Sequence, residues 1–241
     1  MADQQPQGDM LRQAWKRAAA QAAVEHEITD GMVVGLGTGT TADLMLEALA
    51  ERIHQGLRVT GVATSERTGT IAQRLGIPLT ELDDVPTLHL SIDGADEVTL
   101  PALNLVKGRG GALLREKLVA VTSQRRIIIV DESKIVAALA SQHPVPVEVD
   151  CFGWRHTSGR LAALGATVQR RMRPGGALPA APFLSDGGHY VLDCSFGPIV
   201  EPHALAAEIK AITGVIDHGL FVGMTERVYI AGASGVQVYD R

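Results

Sequence analysis

Three short motifs each follow a strand-length apolar run, and that placement limits the chain to few architectures. They are Gly35-Leu36-Gly37-Thr38-Gly39-Thr40-Thr41-Ala42, Asp93-Gly94-Ala95-Asp96-Glu97 and Lys107-Gly108-Arg109-Gly110-Gly111-Ala112-Leu113-Leu114-Arg115-Glu116-Lys117. Residues 32–36 and 87–92 read as short buried strands. The first motif then opens a helix running to about His54, and the third opens one from Gly110 to about Thr122. Strands alternating with helices predict a parallel sheet wrapped by helices. In such open sheets ligands collect outside the carboxyl ends of the strands. The three loops are therefore expected to converge on one pocket, although over seventy residues separate the first from the last.

The remaining elements follow from local signals. An Ala-rich stretch at 10–28 predicts a helix closed by Thr29-Asp30-Gly31. Residues 57–63 read as a strand, Ser65 as the N-cap of a helix ending near Gly76, and 125–130 as a β-branched strand ending at Asp131. The rhythm changes after His143. Pro144-Val145-Pro146-Val147-Glu148-Val149 sets two prolines around a strand, which predicts a sheet edge or a crossing between domains. Beyond it come a helix at 156–164, a strand at 166–171, a hairpin turn at Asp186-Gly187-Gly188, a strand at 189–193 and a helix at 202–212. Short strands at 220–222, 227–231 and 236–239 finish the chain.

The expected fold is α/β: a Rossmann-like open parallel sheet with helices on both faces, over residues 1–143 and completed by 219–241. A smaller α+β domain with an antiparallel sheet takes residues 144–218. Residues ahead of the first helix are expected to be mobile, and those around 173–182 to form a loop of the small domain.

A chain of 241 residues, 46% hydrophobic and 20% charged, can bury a substantial core. Its net charge is −5, and no Lys/Arg-rich run tracks a nucleic-acid backbone. The densest basic stretch, Arg170-Arg171-Met172-Arg173, is short and isolated, which predicts a solvated face. No apolar stretch approaches the ~18 residues of a spanning helix, and residues 1–8 carry no signal core. Cys151 and Cys194 are too few for a disulfide framework and lack metal spacing, so they read as small buried hydrophobes. A reduced, cytoplasmic protein with no membrane and no nucleic-acid partner is expected.

Each motif has a plain reading beside a chemical one. Gly37-Thr38-Gly39-Thr40-Thr41-Ala42 matches the dinucleotide fingerprint in its strand–turn–helix context. The hydroxyls of Thr38, Thr40 and Thr41 instead suit a terminal phosphate monoester at a helix N-terminus, and a structural turn is the third reading. Asp93 and Asp96 flank a Gly-Ala turn; they cap backbone groups there, or they bind sugar hydroxyls and relay protons. Lys107 precedes a loop whose free N–H groups, with the ammonium, suit a developing oxyanion. Glu116 lies about two turns into the following helix, where partial desolvation would make it a useful base. That helix is apolar nearly all round, so the wheel treats Arg115 and Lys117 much as it treats Glu116, and a surface Arg-Glu-Lys triplet stays open. No histidine pair has metal-ligand spacing and no nucleophile elbow occurs. The residues alone point to acid–base work on a small phosphorylated molecule without a metal.

In order and spacing the three motifs closely resemble those of the type A ribose-5-phosphate isomerase family. Asp131-Glu132-Ser133-Lys134, the 144–149 segment, Gly214-Val215-Ile216 and Gly219-Leu220-Phe221 extend the resemblance over nearly the whole chain. It implies interconversion of ribose 5-phosphate and ribulose 5-phosphate through an enediolate, with no metal or organic cofactor. It implies Glu116 as the base between C1 and C2 and Lys107 as the stabiliser of the enediolate oxygen. Asp93 and Asp96 would hold the sugar and assist ring opening and O1/O2 proton transfer. Thr38, Gly39, Thr40, Thr41 and Lys134 would take the phosphate, and Gly94, Ala95, Gly108, Arg109 and Gly110 would line the substrate. Lys16 is a further candidate for the phosphate. The sole partner implied is a small sugar phosphate, with assembly as a homodimer or homotetramer. The alternatives are a sugar-phosphate-binding regulatory module, which should carry a basic recognition helix, and an amino-sugar-phosphate deaminase, which should show a histidine between Asp93 and Glu116. Neither feature is present.

Overall fold

A computed structural model describes residues 5–173 and 181–241. In chain order, the first elements are α1 (Gln5–Glu27), β1 (Val33–Leu36), α2 (Thr40–His54), β2 (Thr60–Ala63), α3 (Glu66–Arg74) and β3 (Leu88–Asp93). Next come β4 (Glu97–Thr99), β5 (Leu105–Val106), α4 (Leu113–Thr122), β6 (Ser123–Asp131), β7 (Ile135–Val136) and β8 (Val145–Val149). The chain continues through α5 (Trp154–Ala163), β9 (Thr167–Arg170), β10 (Tyr190–Ser195), α6 (Pro202–Lys210) and β11 (Val215–His218). It ends with β12 (Leu220–Phe221), β13 (Arg227–Gly232) and β14 (Gly235–Asp240). Helix α1 begins five residues ahead of the expected start, so the segment preceding it reduces to 1–4; those residues and most of the 173–182 loop lie outside the described residues. Among the described residues no helix is long and apolar enough to cross a membrane.

The chain divides into two compact units. The first comprises Met1–Ala95, Leu118–Lys134 and Met224–Arg241, the second Asp96–Lys117 and Ile135–Gly223. Segment Asp96–Lys117, counted with the first domain on sequence rhythm, groups with the second unit.

In the first unit six strands run in the order β14-β13-β6-β3-β1-β2, parallel except for β14 against β13. Strand side chains alternate faces, so Val34, Leu36, Leu90, Ile92, Ile127 and Ile129 point one way, into a core shared with Ala19 and Ala23 of α1 and Leu46 and Leu49 of α2. Gly35 and Ser91 face the other way. A Cβ on Gly35 would lie 2.4 Å from Val119 Cγ1, so the missing side chain lets α4 seat on that face. Ser65 caps α3 as expected, its side chain accepting from the Thr68 N–H. Glu27 anchors the end of α1: it is 4% exposed, pairs with Arg125 at 2.7 Å and Arg227 at 2.8 Å, and accepts from the Tyr229 hydroxyl at 2.7 Å. Burial pushes its carboxyl up, but Tyr229, Arg227 and Arg125 together hold it below the usual value.

The second unit holds an antiparallel sheet in the order β11-β8-β10-β9 and a small sheet in the order β12-β5-β4-β7. The small sheet escapes sequence reading because its strands are two or three residues long. Despite its prolines, β8 is not an edge strand but an interior one, between β11 and β10. Pro146 is tolerated because the β11 ladder stops at the His218–Val147 pair, one residue short of it. There Gly219 donates its N–H to the Pro146 carbonyl at 2.7 Å, and Gly219 has no side chain to meet the proline ring.

Candidate active site

The expected site residues fall into two sets, one in each unit. In the first unit, Gly37 is required by Asp93: a Cβ there would lie 2.2 Å from Asp93 Oδ1 and 2.6 Å from its Cα. Asp93 is 7% exposed, and its Oδ1 accepts from the Thr38 N–H at 3.1 Å and the Gly94 N–H at 2.7 Å. The carboxylate thus ties the end of β3 to the loop after β1. That loop is bound to its neighbours by hydroxyls. Thr38 Oγ1 lies 2.8 Å from both Thr64 Oγ1 and Ser65 Oγ, and 3.0 Å from Thr68 Oγ1. Thr64 donates to the Leu36 carbonyl at 2.9 Å and Thr68 to the Gly37 carbonyl at 3.0 Å, so the Thr38 proton goes to Ser65. Both Thr38 donors are therefore used inside the protein, and Thr64, Ser65 and Thr68 are residues that motif reading missed.

Gly39 adopts φ +123°, a conformation L side chains rarely take, and α2 starts after it with no side-chain cap bonded to its N–H groups. Thr40 is exposed at that terminus, and its Oγ1 accepts from Lys16 Nζ at 3.0 Å. Thr41 is half-buried, facing Gly94 across ordinary van der Waals distance. Lys134 is half-buried at the end of a single turn after β6, where Asp131 accepts from the Ser133 N–H at 3.1 Å. Hydroxyls, a helix N-terminus and cations on α1 and after β6 are donors suited to a phosphate.

In the second unit, Asp96 is held by its own N–H on the Val106 carbonyl, 2.8 Å, and its Oδ2 accepts from the Arg109 N–H at 3.0 Å. Glu97, the last residue of that motif, is fully buried and structural: its Oε1 accepts from the N–H groups of Gln142 at 2.6 Å and His143 at 2.8 Å. Lys107 Nζ and Glu116 Oε2 form an ion pair at 3.3 Å, with side chains 4% and 3% exposed. Lys107 is fixed through its N–H on the Gly219 carbonyl at 2.8 Å, and its ammonium stands 5.5 Å over the Phe221 ring. Gly108 and Gly111 take φ +98° and +84°, and Cβ atoms there would collide with Leu113 and Phe183.

The surface-triplet reading of Arg115-Glu116-Lys117 is overturned. Arg115 is 40% exposed, whereas Glu116 is buried and Lys117 half-buried. Lys117 Nζ bonds Asp217 Oδ1 at 2.5 Å and lies 4.8 Å over Phe221. Burial lowers the Lys117 ammonium from its ordinary value. Burial raises the Asp217 carboxyl, but Lys117, the His218 N–H and Lys210 together outweigh it and the net shift is downward. Burial and then the Lys117 charge push the neighbouring His218 imidazole down to about 4.

The solvated-face reading of the basic run also needs correcting. The Arg170 guanidinium stacks on Trp154 at 4.4 Å and Tyr190 at 5.0 Å. Arg171, 15% exposed, grips Asp193 and the carbonyls of Gly108 and Arg109. Only a tertiary contact more than sixty residues away reveals this. Among the described residues no cluster of three or more His, Cys, Asp or Glu could hold a metal ion.

Residues 60–235 match the family model described as ribose 5-phosphate isomerase A (phosphoriboisomerase A). A ribose-5-phosphate isomerase A from Synechococcus sp. (strain JA-3-3Ab) is 52% identical over 224 residues, covering 92% of this chain and 95% of that protein. A solved D-ribose-5-phosphate isomerase in complex with phospho-erythronic acid superposes with a TM-score of 0.90 at 35% identity, over 95% of this chain and 98% of the other. The ribose 5-phosphate isomerase of Plasmodium falciparum superposes with a TM-score of 0.89 at 38% identity, over 95% and 99%.

Proposed function

This chain belongs to the ribose 5-phosphate isomerase A family and is an aldose–ketose isomerase, and from that premise we propose how its residues divide the reaction. The substrate pair is ribose 5-phosphate and ribulose 5-phosphate, as in the non-oxidative pentose phosphate pathway. Glu116 takes the proton from C2 of the open-chain aldose and returns it to C1. The electron pair left behind passes through a cis-enediolate, whose oxygen charge Lys107 stabilises. Asp93 and Asp96 hold the sugar, assist ring opening and move the proton between O2 and O1. Thr40, Thr41, the loop N–H groups around Gly39 and Lys134 receive the phosphate, with Thr38 as the anchor of that loop. Gly94, Ala95, Gly108, Arg109 and Gly110 line the sugar. The reading calls for no metal or organic cofactor.

The observation that carries it is the buried Lys107–Glu116 pair at 3.3 Å. Moving a proton α to a carbonyl needs a proton acceptor beside a group that favours negative charge on oxygen, and this pair joins the two in a dry setting. The phospho-erythronic acid bound by a relative, a phosphorylated polyhydroxy acid, matches a site with anion donors and hydroxyl-binding carboxylates. A homodimer or homotetramer in the cytoplasm belongs to the same reading. Supporting association, β14 is an edge strand with Val236, Val238 and Tyr239 exposed.

The test is Glu116→Gln, which keeps size and polarity but accepts no proton. Exchange of the substrate C2 proton with solvent should fall by about 10²–10⁴ in a chain that still folds and binds ligand, although breaking a buried ion pair lowers its melting temperature. Exchange at the native rate would exclude Glu116 and pass the role to Asp93 or Asp96.

A further inference from the structure

Residue Arg171 lies in the basic run after β9, and nothing in the reaction as assigned above uses it. Its Nη1 donates to two successive backbone carbonyls, Gly108 at 3.0 Å and Arg109 at 2.9 Å. A trans peptide points its N–H opposite to its C=O. Two carbonyls converging on one guanidinium therefore send the N–H groups of Arg109 and Gly110 away from it together. The first of these reaches Asp96 Oδ2 at 3.0 Å. The second lies in its own peptide plane, opposite the Arg109 carbonyl that Arg171 holds. The guanidinium thus determines which way two donors of the loop face, and it does so beside one of the proposed acid–base carboxylates.

The guanidinium is itself held on its other edge. Asp193 Oδ2 accepts from Nε at 3.0 Å, and Asp193 Oδ1 accepts from Nη2. The Phe183 ring stands 5.8 Å from the guanidinium carbon and fills the space where a Gly111 side chain would fall, 2.3 Å from its Cβ. The Arg171 backbone is pinned on both sides: its N–H donates to the Val191 carbonyl at 2.9 Å, and its carbonyl accepts from the Phe183 N–H at 3.0 Å. Only a planar fork spans a carboxylate on one edge and two carbonyls on the other; a lysine ammonium is a single point and cannot do both.

We propose that Arg171 is a positioning residue for the isomerisation, presetting the Arg109 and Gly110 N–H groups and the Asp96 carboxylate for the enediolate. This rests on the assignment of Asp96 and the 107–111 loop to the sugar. Donors that are aimed before the reaction lower the barrier because they need no reorganisation when charge develops. Their misplacement shows in kcat more than in KM, since the interaction is made chiefly in the transition state.

The experiment compares the native chain with Arg171→Ala, Arg171→Lys and Asp193→Asn in steady-state turnover of ribose 5-phosphate, with melting temperature measured beside it. Arg171→Ala should lose about 10- to 100-fold in kcat, the scale expected when catalytic groups are displaced by an ångström, with KM little changed. Added guanidinium ion should restore part of that kcat, and should not raise the native rate. Arg171→Lys should lose nearly as much, and Asp193→Asn less but in the same direction. Native kcat in the Lys and Asn variants would overturn the inference, as would a loss in the Ala variant that guanidinium leaves untouched. If the Ala variant does not fold, the Lys and Asn variants decide alone. A native chain that fails to turn over ribose 5-phosphate would instead refute the function it rests on, so the two failures are distinct.

Discussion

Replacing Thr68 by Val tests whether the hydroxyl cluster holds the loop that the phosphate is proposed to occupy. Valine has nearly the shape of threonine, so packing survives and one hydroxyl is lost. That hydroxyl is fully buried; it donates to the Gly37 carbonyl at 3.0 Å and lies 3.0 Å from both Ser65 Oγ and Thr38 Oγ1. Ser65 Oγ still accepts from the Thr38 hydroxyl and the Thr68 N–H, but the carbonyl of buried Gly37 is left without its donor. One buried group stranded in this way costs about 1–3 kcal/mol. At about 2–4 °C per kcal/mol for a chain of this size, the melting temperature should fall by about 2–12 °C. Gly37 cannot move without disturbing Asp93, since the two are in direct contact. The variant should therefore also bind ribose 5-phosphate more weakly, while Thr68→Ser, which keeps the hydroxyl, should restore the affinity. Scanning calorimetry and titration calorimetry read the two effects separately. A Val variant with native melting and native affinity would refute the reasoning, and a fall in melting temperature with unchanged affinity would detach the cluster from the phosphate.

Two further predictions follow from buried ionisable groups. Glu27→Gln should cost about 1–3 kcal/mol at neutral pH, less than a fully buried pair because Arg125 and Arg227 are 44% and 31% exposed. The native carboxyl lies below its ordinary 4.5, so its contribution is complete above that pH and is lost on acidification through the lower folded value; a gap between the two chains that does not close in acid would contradict the assignment. For the thiols, burial and then the Asp193 charge push Cys194 up to about 12, whereas Cys151 is half-buried. A thiol reagent at mild alkaline pH should titrate one cysteine in the native chain and both after unfolding, and two fast equivalents in the native chain would show that Cys194 is reachable.

What could be read from the sequence was local. Strand–helix alternation, the capping signal of Ser65 and the strand-end placement of the first two motifs are short-range patterns, and they hold in the six-stranded sheet and its helices, whereas the third motif follows β5 of the small sheet. Gly37 and Gly39 stand where the loop needs them, one for the approach of Asp93 and one for a positive φ. Three things required the tertiary structure. Helix α4 is apolar nearly all round, so its periodicity could not say that Glu116 is buried against Lys107 while Arg115 reaches solvent. Pro146 sits inside a sheet because a neighbouring strand ends one residue earlier and meets it with a glycine, which no local rule about prolines contains. A run of arginines reads as solvated until its partners are known, and the partners of Arg171 are carbonyls over sixty residues away. Side-chain type and spacing determine which elements form and where they are punctuated. Burial and long-range pairing arise only when segments distant in the chain pack together, and they decide which of those charges are buried and which reach solvent.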